Sequence, residues 1–319
     1  MFSRLRQNVR DLHKLTSDVL SLFLSPFSLA LRPSVGLVLK GAVDDVRQAA
    51  RLARYLPING VEIIGYGSPA NPSCEFLRGL PTIKFARIYA YQLMELESIG
   101  SLRRLEQLRL QHVGSDKTIS VDLGLLPHLT DVHLEWFRGA ESIFGAKHLQ
   151  ALGLVYCRLS SSEQFGRLTT LKRLFLSSRG LTEVDAFRRL SSLKWLCLAD
   201  QRKLSDFSGL THHPTLVFLW IEACRKLGSL EWLVGMPRLE TLRILDCGTI
   251  NGIEVLQSIP RLKHVHIHGE VKVVASDFTF LRGLPNLESV FIRGMPRAEA
   301  DYWAKRNARY DLTRQDLAE

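Results

Sequence analysis

Residues 168–187 read LTTLKRLFLSSRGLTEVDAF, with leucines at Leu168, Leu171, Leu174, Leu176 and Leu181. An amphipathic helix buries one stripe at a period near 3.6, and a half-buried strand buries alternate residues. Intervals of three, three, two and five obey neither rule throughout. They describe a short strand, carrying Leu174 and Leu176, inside a tight coil whose other leucines also turn inward.

The spacing recurs along the chain. LSSLKWLCLADQRKL places Leu190, Leu193, Leu196 and Leu198 at the same offsets, and further copies begin at Leu102, Leu126, Ala146, His213, Met236, Ile259 and Leu284. Degenerate copies begin at Tyr55 and Leu80. The first apolar residue of each two-step pair is Val61, Ala86, Leu108, Val132, Leu152, Leu174, Leu196, Leu219, Leu242, Val265 and Val290, in steps of 20 to 25 residues. Self-similarity at a fixed period of this size is the signature of a solenoid.

On these residues the chain resembles the leucine-rich repeat family, in its short variety of 22–23 residues. The family unit L-x-x-L-x-L-x-x-N/C-x-L is matched by LQALGLVYCRL, Leu149 to Leu159, with Cys157 at the N/C position. The resemblance covers residues 34–295 and implies an α/β fold: a curved right-handed coil, with a parallel β-sheet on its concave face. The sequence departs from the family at the ladder position. It holds Cys157, Cys224 and Cys247, elsewhere Val113, Phe137, Arg179, Gln201 or Glu270, and asparagine in none of these. A regular asparagine ladder is therefore not expected, and the middle repeats should be irregular.

A chain of 319 residues, 46% of them hydrophobic, can bury a large core. The uninterrupted period predicts one solenoid of eleven to twelve repeats over 34–295 rather than two globular domains. Each repeat contacts only its neighbours, so the ends need caps. The first coil is read at SVGLVLKG followed by the helical VDDVRQAARLARYL, with Leu37 and Leu39 standing in for Val61 and Ile63 of the next. Residues 296–319 are read as a helical C-terminal cap with a frayed tail, placing Ala300, Trp303 and Ala304 on the last repeat. Residues 1–33 are read as a helical segment, either a cap or a partner helix. Their apolar run is too short and too interrupted for a membrane span of about 20 residues. An organelle presequence stays open, because Arg4, Arg6 and Arg10 precede any acid.

Five cysteines occur with no C-x-x-C pair, three of them at the inward-turning ladder position, which predicts buried free thiols. No open N-glycosylation acceptor exists, since Asn71-Pro72-Ser73 is blocked by its proline. Both features suit a reducing compartment, and the expected location is cytoplasmic. No catalytic motif appears, and neither enzyme activity nor a cofactor is expected. HVHIHG sets His264, His266 and His268 on one side of a strand, with Asp246 nearby as a further ligand. Lacking a second cluster, it is read as a polar stripe on the concave surface rather than a metal site.

Functional information lies in the columns flanking the core pairs, which face concave solvent and stack about 4.8 Å apart. The candidate partner-binding residues are Arg87, Tyr89, Arg109, His133, Trp136, Tyr156, Arg173, Phe175, Trp195, Phe218, Trp220, Glu222, Arg243, His266, Phe291 and Arg293. Phe175, Trp195, Phe218 and Trp220 gather within three adjacent repeats, and Trp136 and Tyr156 sit at the loop rim. Exposed aromatic and arginine side chains mark protein interfaces, so a protein partner on the concave face is expected. The competing reading uses the formal charge of +10 to bind nucleic acid or an acidic surface through the basic exterior. The three columns hold five cations and four anions, which favours the protein partner. The alternative that the N-terminal segment covers the aromatic patch stays open.

Overall fold

The computed structural model describes residues 28–32, 36–54, 56–64, 73–89, 95–111, 121–275 and 277–307. Residues 1–27, the greater part of the segment read as an N-terminal helix, lie outside them, as does the tail from 308. The remainder of that segment is corrected: Ser28–Arg32 form a strand, β1. Within the described residues the chain packs as two compact units that divide between Leu149 and Gln150.

The first unit contains β1, β2 (Gly36–Gly41), helix α1 (Val43–Ala49), β3 (Ile58–Ile63), β4 (Phe85–Tyr89), β5 (Gln107–Gln111) and β6 (Asp131–Glu135). β1 pairs antiparallel with β2, and β2 to β6 pair parallel in chain order. The second unit contains β7 (Ala151–Cys157), β8 (Arg173–Ser178), β9 (Trp195–Ala199), β10 (Phe218–Glu222), β11 (Thr241–Leu245), β12 (Gly248–Ile250), β13 (His264–His268), β14 (Val271–Val273), β15 (Ser289–Ile292) and helix α2 (Arg297–Asn307). There β7 to β11, β13 and β15 form the parallel series, and β12 and β14 pair separately.

The pairing follows the repeat. Val61, Ala86, Leu108 and Val132 stand in one register row, and Leu152, Leu174, Leu196, Leu219, Leu242, Val265 and Val290 in another. All eleven are at most 2% exposed. The return path of most repeats holds a short 3-10 turn, as in Glu163–Arg167 and Asp185–Arg189, which turns Phe165 and Phe187 into the core edge to face at 5.4 Å. Parallel strands joined by such short returns form a leucine-rich repeat solenoid fold.

The first coil is shifted from expectation. A register irregularity between Leu37 and Val38 pairs Leu39 with Val61 and Gly41 with Ile63, so that Val38 and Leu39 supply the burial. Its helical return appears as α1 followed by a 3-10 turn, Ala50–Arg54.

Hydrogen bonds bridge the coils at the ladder position without asparagine. Gln201 Nε2 donates to the carbonyls of Leu176 (2.7 Å) and Ala199 (3.2 Å). One repeat on, Cys224 Sγ lies 3.5 Å from Leu198 O and 3.3 Å from Glu222 O; in the next, Cys247 Sγ lies 3.6 Å from Ile221 O and 3.2 Å from Leu245 O. In each case the side chain reaches a carbonyl of the preceding coil and one two residues back in its own. The residue before it (Asp200, Ala223 or Asp246) adopts a left-handed backbone with φ of 49° to 55°, which turns the chain off the strand. The expected irregularity falls in β7–β8, where the register slips between Leu154 and Cys157.

α2 closes the second unit. Trp303 is buried as expected, but Ala300 and Ala304 are exposed and Glu299 takes the inner position. Buried Glu299 is neutralised by a two-point pair with Arg282 (2.7 and 2.9 Å), which also lies 4.2 Å from the Tyr302 ring. Asn307 applies its amide to β15, accepting from Val290 N (3.1 Å) and donating to Val290 O (2.6 Å). No helix among the described residues is long and apolar enough to cross a membrane.

Candidate functional site: the open strand face

Side chains that alternate with the buried rows line the open face, and the two units furnish it differently. In the first unit Glu62 is buried between Lys40 (3.7 Å) and Arg87 (3.3 Å). Arg109 grips Asp131 at two points, 2.6 and 3.0 Å. His133 lies beside that pair. Burial lowers its pKa, Arg109 lowers it further, and Asp131 acts in the opposite direction. Arg87 and Arg109 are thus engaged within the fold, and Tyr89 is half-buried next to them. Trp136, expected at the rim, is only 6% exposed; it follows β6 directly and turns inward with Phe137.

In the second unit the same columns carry rings. Trp195 and Phe218 pair across β9–β10 and stack face to face, centroids 5.4 Å apart and planes 7° from parallel. The Arg243 guanidinium lies 5.8 Å from both the Phe218 and Trp220 rings. The arginine therefore joins Trp220 to the stack. Phe175, Trp195, Phe218 and Trp220 are all half-buried. Beneath them Cys197, opposite Trp220, is fully buried, and burial together with the Glu222 charge drives its thiol pKa far above the ordinary value. At the rim Tyr156 is 54% exposed, with Arg179 lying 5.9 Å from its ring.

The histidine stripe is corrected. His264 and His266 are buried, and both turn to Ser289, at 3.3 Å (Nδ1) and 2.9 Å (Nε2). One hydroxyl can donate to the first ring and accept from the second, so both imidazoles are satisfied while neutral. Burial, helped by Arg243 and the other two histidines, pushes His266 down to about 4. His268 is half-buried, edge to face with the exposed Phe291 at 6.0 Å. No group of three His, Cys, Asp or Glu side chains among the described residues is placed to hold a metal ion.

Two residues escaped the column reading because they stand one place before the strands. Lys172 and Lys194 are exposed, in adjacent repeats, and joined by a backbone hydrogen bond from Lys194 N to Lys172 O (2.9 Å). In the same position Lys84 and Lys263 are matched by Glu106 and Glu240, each at 2.8 Å. Lys172 meets only the neutral Gln150 (3.0 Å), and Lys194 has no ion pair among the described residues. The signal was in the sequence: LKR and LKW set lysine before Arg173 and Trp195 in consecutive repeats. Arg173 is exposed beside them, and Arg293, at the far strand, is exposed and donates to Gly269 O. At the opposite strand ends lie Glu222, Asp246 and Asp200, the last ion-paired to Arg179 (3.2 Å) and Arg202 (3.3 Å). Burial, then the Asp246 charge, raises the pKa of half-buried Glu222, with His268 opposing.

Comparison with solved structures agrees with this architecture. The chain is similar to a leucine-rich repeat protein from Leptospira interrogans, LIC12759 (TM-score 0.61, 17% identity, 78% of this chain and 62% of that one). It is similar also to the internalin InlF from Listeria monocytogenes (TM-score 0.54, 12% identity, 75% of each chain). A TDR receptor aligns with a TM-score of 0.51 and 13% identity over 80% of this chain, which spans 45% of that receptor's length. A scan of protein-family models and a search of curated proteins return no match. The class the structure defines is the leucine-rich repeat fold.

Proposed function

We propose that the protein is a non-catalytic interaction scaffold that recognises a protein partner on the open, concave face of its second unit. The observation carrying this reading is the half-exposed cluster of Trp195, Phe218, Trp220 and Arg243. Solvated strands have no need of stacked aromatic rings, whereas buried aromatic and arginine anchors supply most of the energy at protein interfaces. Phe175, Arg173 and Glu222 border the cluster. The first unit contributes less, its arginines being occupied by carboxylates. Nucleic-acid binding through the basic exterior is the rival, and the carboxylates of Glu222 and Asp246 at the strand ends weigh against it. The five cysteines are buried free thiols, which supports a reducing, cytoplasmic setting.

The test is affinity capture with the intact chain, followed by reconstitution of each captured protein with purified components. A partner that binds the intact chain and loses binding to Trp195→Ala/Trp220→Ala supports the reading. Equal affinity of a reconstituted partner for the variant removes this face from the site.

A further inference from the structure

We propose that the face centred on Trp195 and Phe218 docks an acidic segment of its partner, with an aromatic or aliphatic side chain over the rings and carboxylates on Lys172, Arg173, Lys194 and Arg243. This deepens the preceding reading and rests on the second unit's open face being the binding surface.

Charge complementarity carries the argument. The open-face columns of the second unit hold three cations, Arg173, Arg243 and Arg293, against one carboxylate, Glu222; those of the first hold two cations against Glu62, Asp131 and Glu135. Lys172 and Lys194 add charge at one edge, where the lysines of other repeats have carboxylate neighbours and these do not. Lys172, Arg173, Lys194 and Arg243 therefore gather beside the aromatic stack, whereas Arg293 stands apart, after β15. Arg243 is held against ring faces, partly out of water, where a carboxylate would gain more than at a fully solvated arginine. At the opposite strand ends Asp200 is ion-paired to Arg179 (3.2 Å) and Arg202 (3.3 Å), which leaves Glu222 and Asp246 as the acids there, so an acidic ligand is drawn to the Lys172–Lys194 edge rather than to the other.

The same polarity disfavours a nucleic-acid strand, which would carry phosphates across both edges. Trp195 and Phe218 also already cover one face of each other, leaving less ring surface for bases than a stacking platform requires. The chain's own residues 1–27 are an unsuitable occupant by charge, with Arg4, Arg6, Arg10 and Lys14 against Asp11 and Asp18.

The experiment is selection of random displayed peptides on the full chain, then anisotropy titration of the enriched peptide in labelled form. Enrichment of Asp or Glu next to an aromatic or large aliphatic residue is expected. Affinity should fall about tenfold or more in Lys172→Glu/Lys194→Glu, less in the Gln pair, and little in Lys263→Glu. It should also fall as salt rises from about 0.05 to about 0.5 M. Thermal unfolding of each variant separates lost docking from lost folding. Peptides that need Trp195 and Phe218 but carry no acids, or ignore the charge reversals, overturn this inference and leave the scaffold reading standing. Peptides indifferent to Trp195 and Phe218 overturn both. Tighter binding of an oligothymidylate at the same residues overturns it in favour of nucleic acid, and release of occluded rings on deleting residues 1–27 overturns it in favour of self-coverage.

Discussion

Arg109 in the first unit and Trp220 in the second occupy equivalent positions of their repeats, each between buried row residues, and meet opposite surroundings. Arg109 is tied by two bonds to Asp131 in the next strand. Trp220 faces Cys197 on one side and Arg243 on the other, the Arg243 guanidinium lying 5.8 Å from its ring. One backbone scheme thus supports two surfaces, one internally neutralised and one apolar with surplus cations. The buried rows specify the coil, and the columns between them are free to specialise.

If the buried rows are equivalent, Leu108→Ala and Leu174→Ala should both be costly. Each removes a fully buried side chain between stacked coils, and a loss of about 2–5 kcal/mol is expected in denaturant titrations of both. A cost confined to one unit would break the comparison. At the faces the effects should part. Trp220→Ala should cost a reconstituted partner roughly 2 kcal/mol or more of affinity with little loss of stability, whereas Arg109→Ala should leave that affinity unchanged.

Acid should weaken both units, the second more. His213 and His266 in the second unit and His133 in the first all have pKa values lowered in the fold, chiefly by burial. Above the unfolded value of about 6.5 each is neutral in both states, and its contribution is complete. As pH falls below that value the unfolded chain takes protons the fold refuses, so stability should drop progressively, by about 1–3 kcal/mol near pH 4. His213→Leu should flatten this slope in a pH series of thermal melts, since neighbouring repeats hold Leu190 and Met236 at the same place. The smallest effect should be Asp131→Asn, about 0.2–1 kcal/mol of stability, shrinking as salt is added.

The fold was legible because its signal repeats: an error in one copy is corrected by the next, and every row residue read from spacing is buried. The degenerate first coil had one copy only, and there the reading of Leu37 and Leu39 missed a bulge. On the face, alternation placed Trp195, Phe218 and Trp220 correctly but could not rank solvent access. His264 and His266 sink because Ser289 in the following strand is small and offers them a hydroxyl. Trp136 turns inward because the column rule ends with the strand. Lys172 and Lys194 went unseen since a rule about strands ignores the residue ahead of them.

Asn307 has a consequence beyond the helix that carries it. A parallel stack of strands can in principle grow at its last member, because unpaired amides and carbonyls there invite another chain. By occupying both polar groups of Val290, a single side-chain amide stands in for the strand that would come next. It acts as a chain terminator for self-assembly: Asn307→Leu, though it leaves every repeat intact, is expected to make the protein associate end to end, visible as a concentration-dependent rise in mass by light scattering. An unchanged mass would show that α2 shields the edge without it.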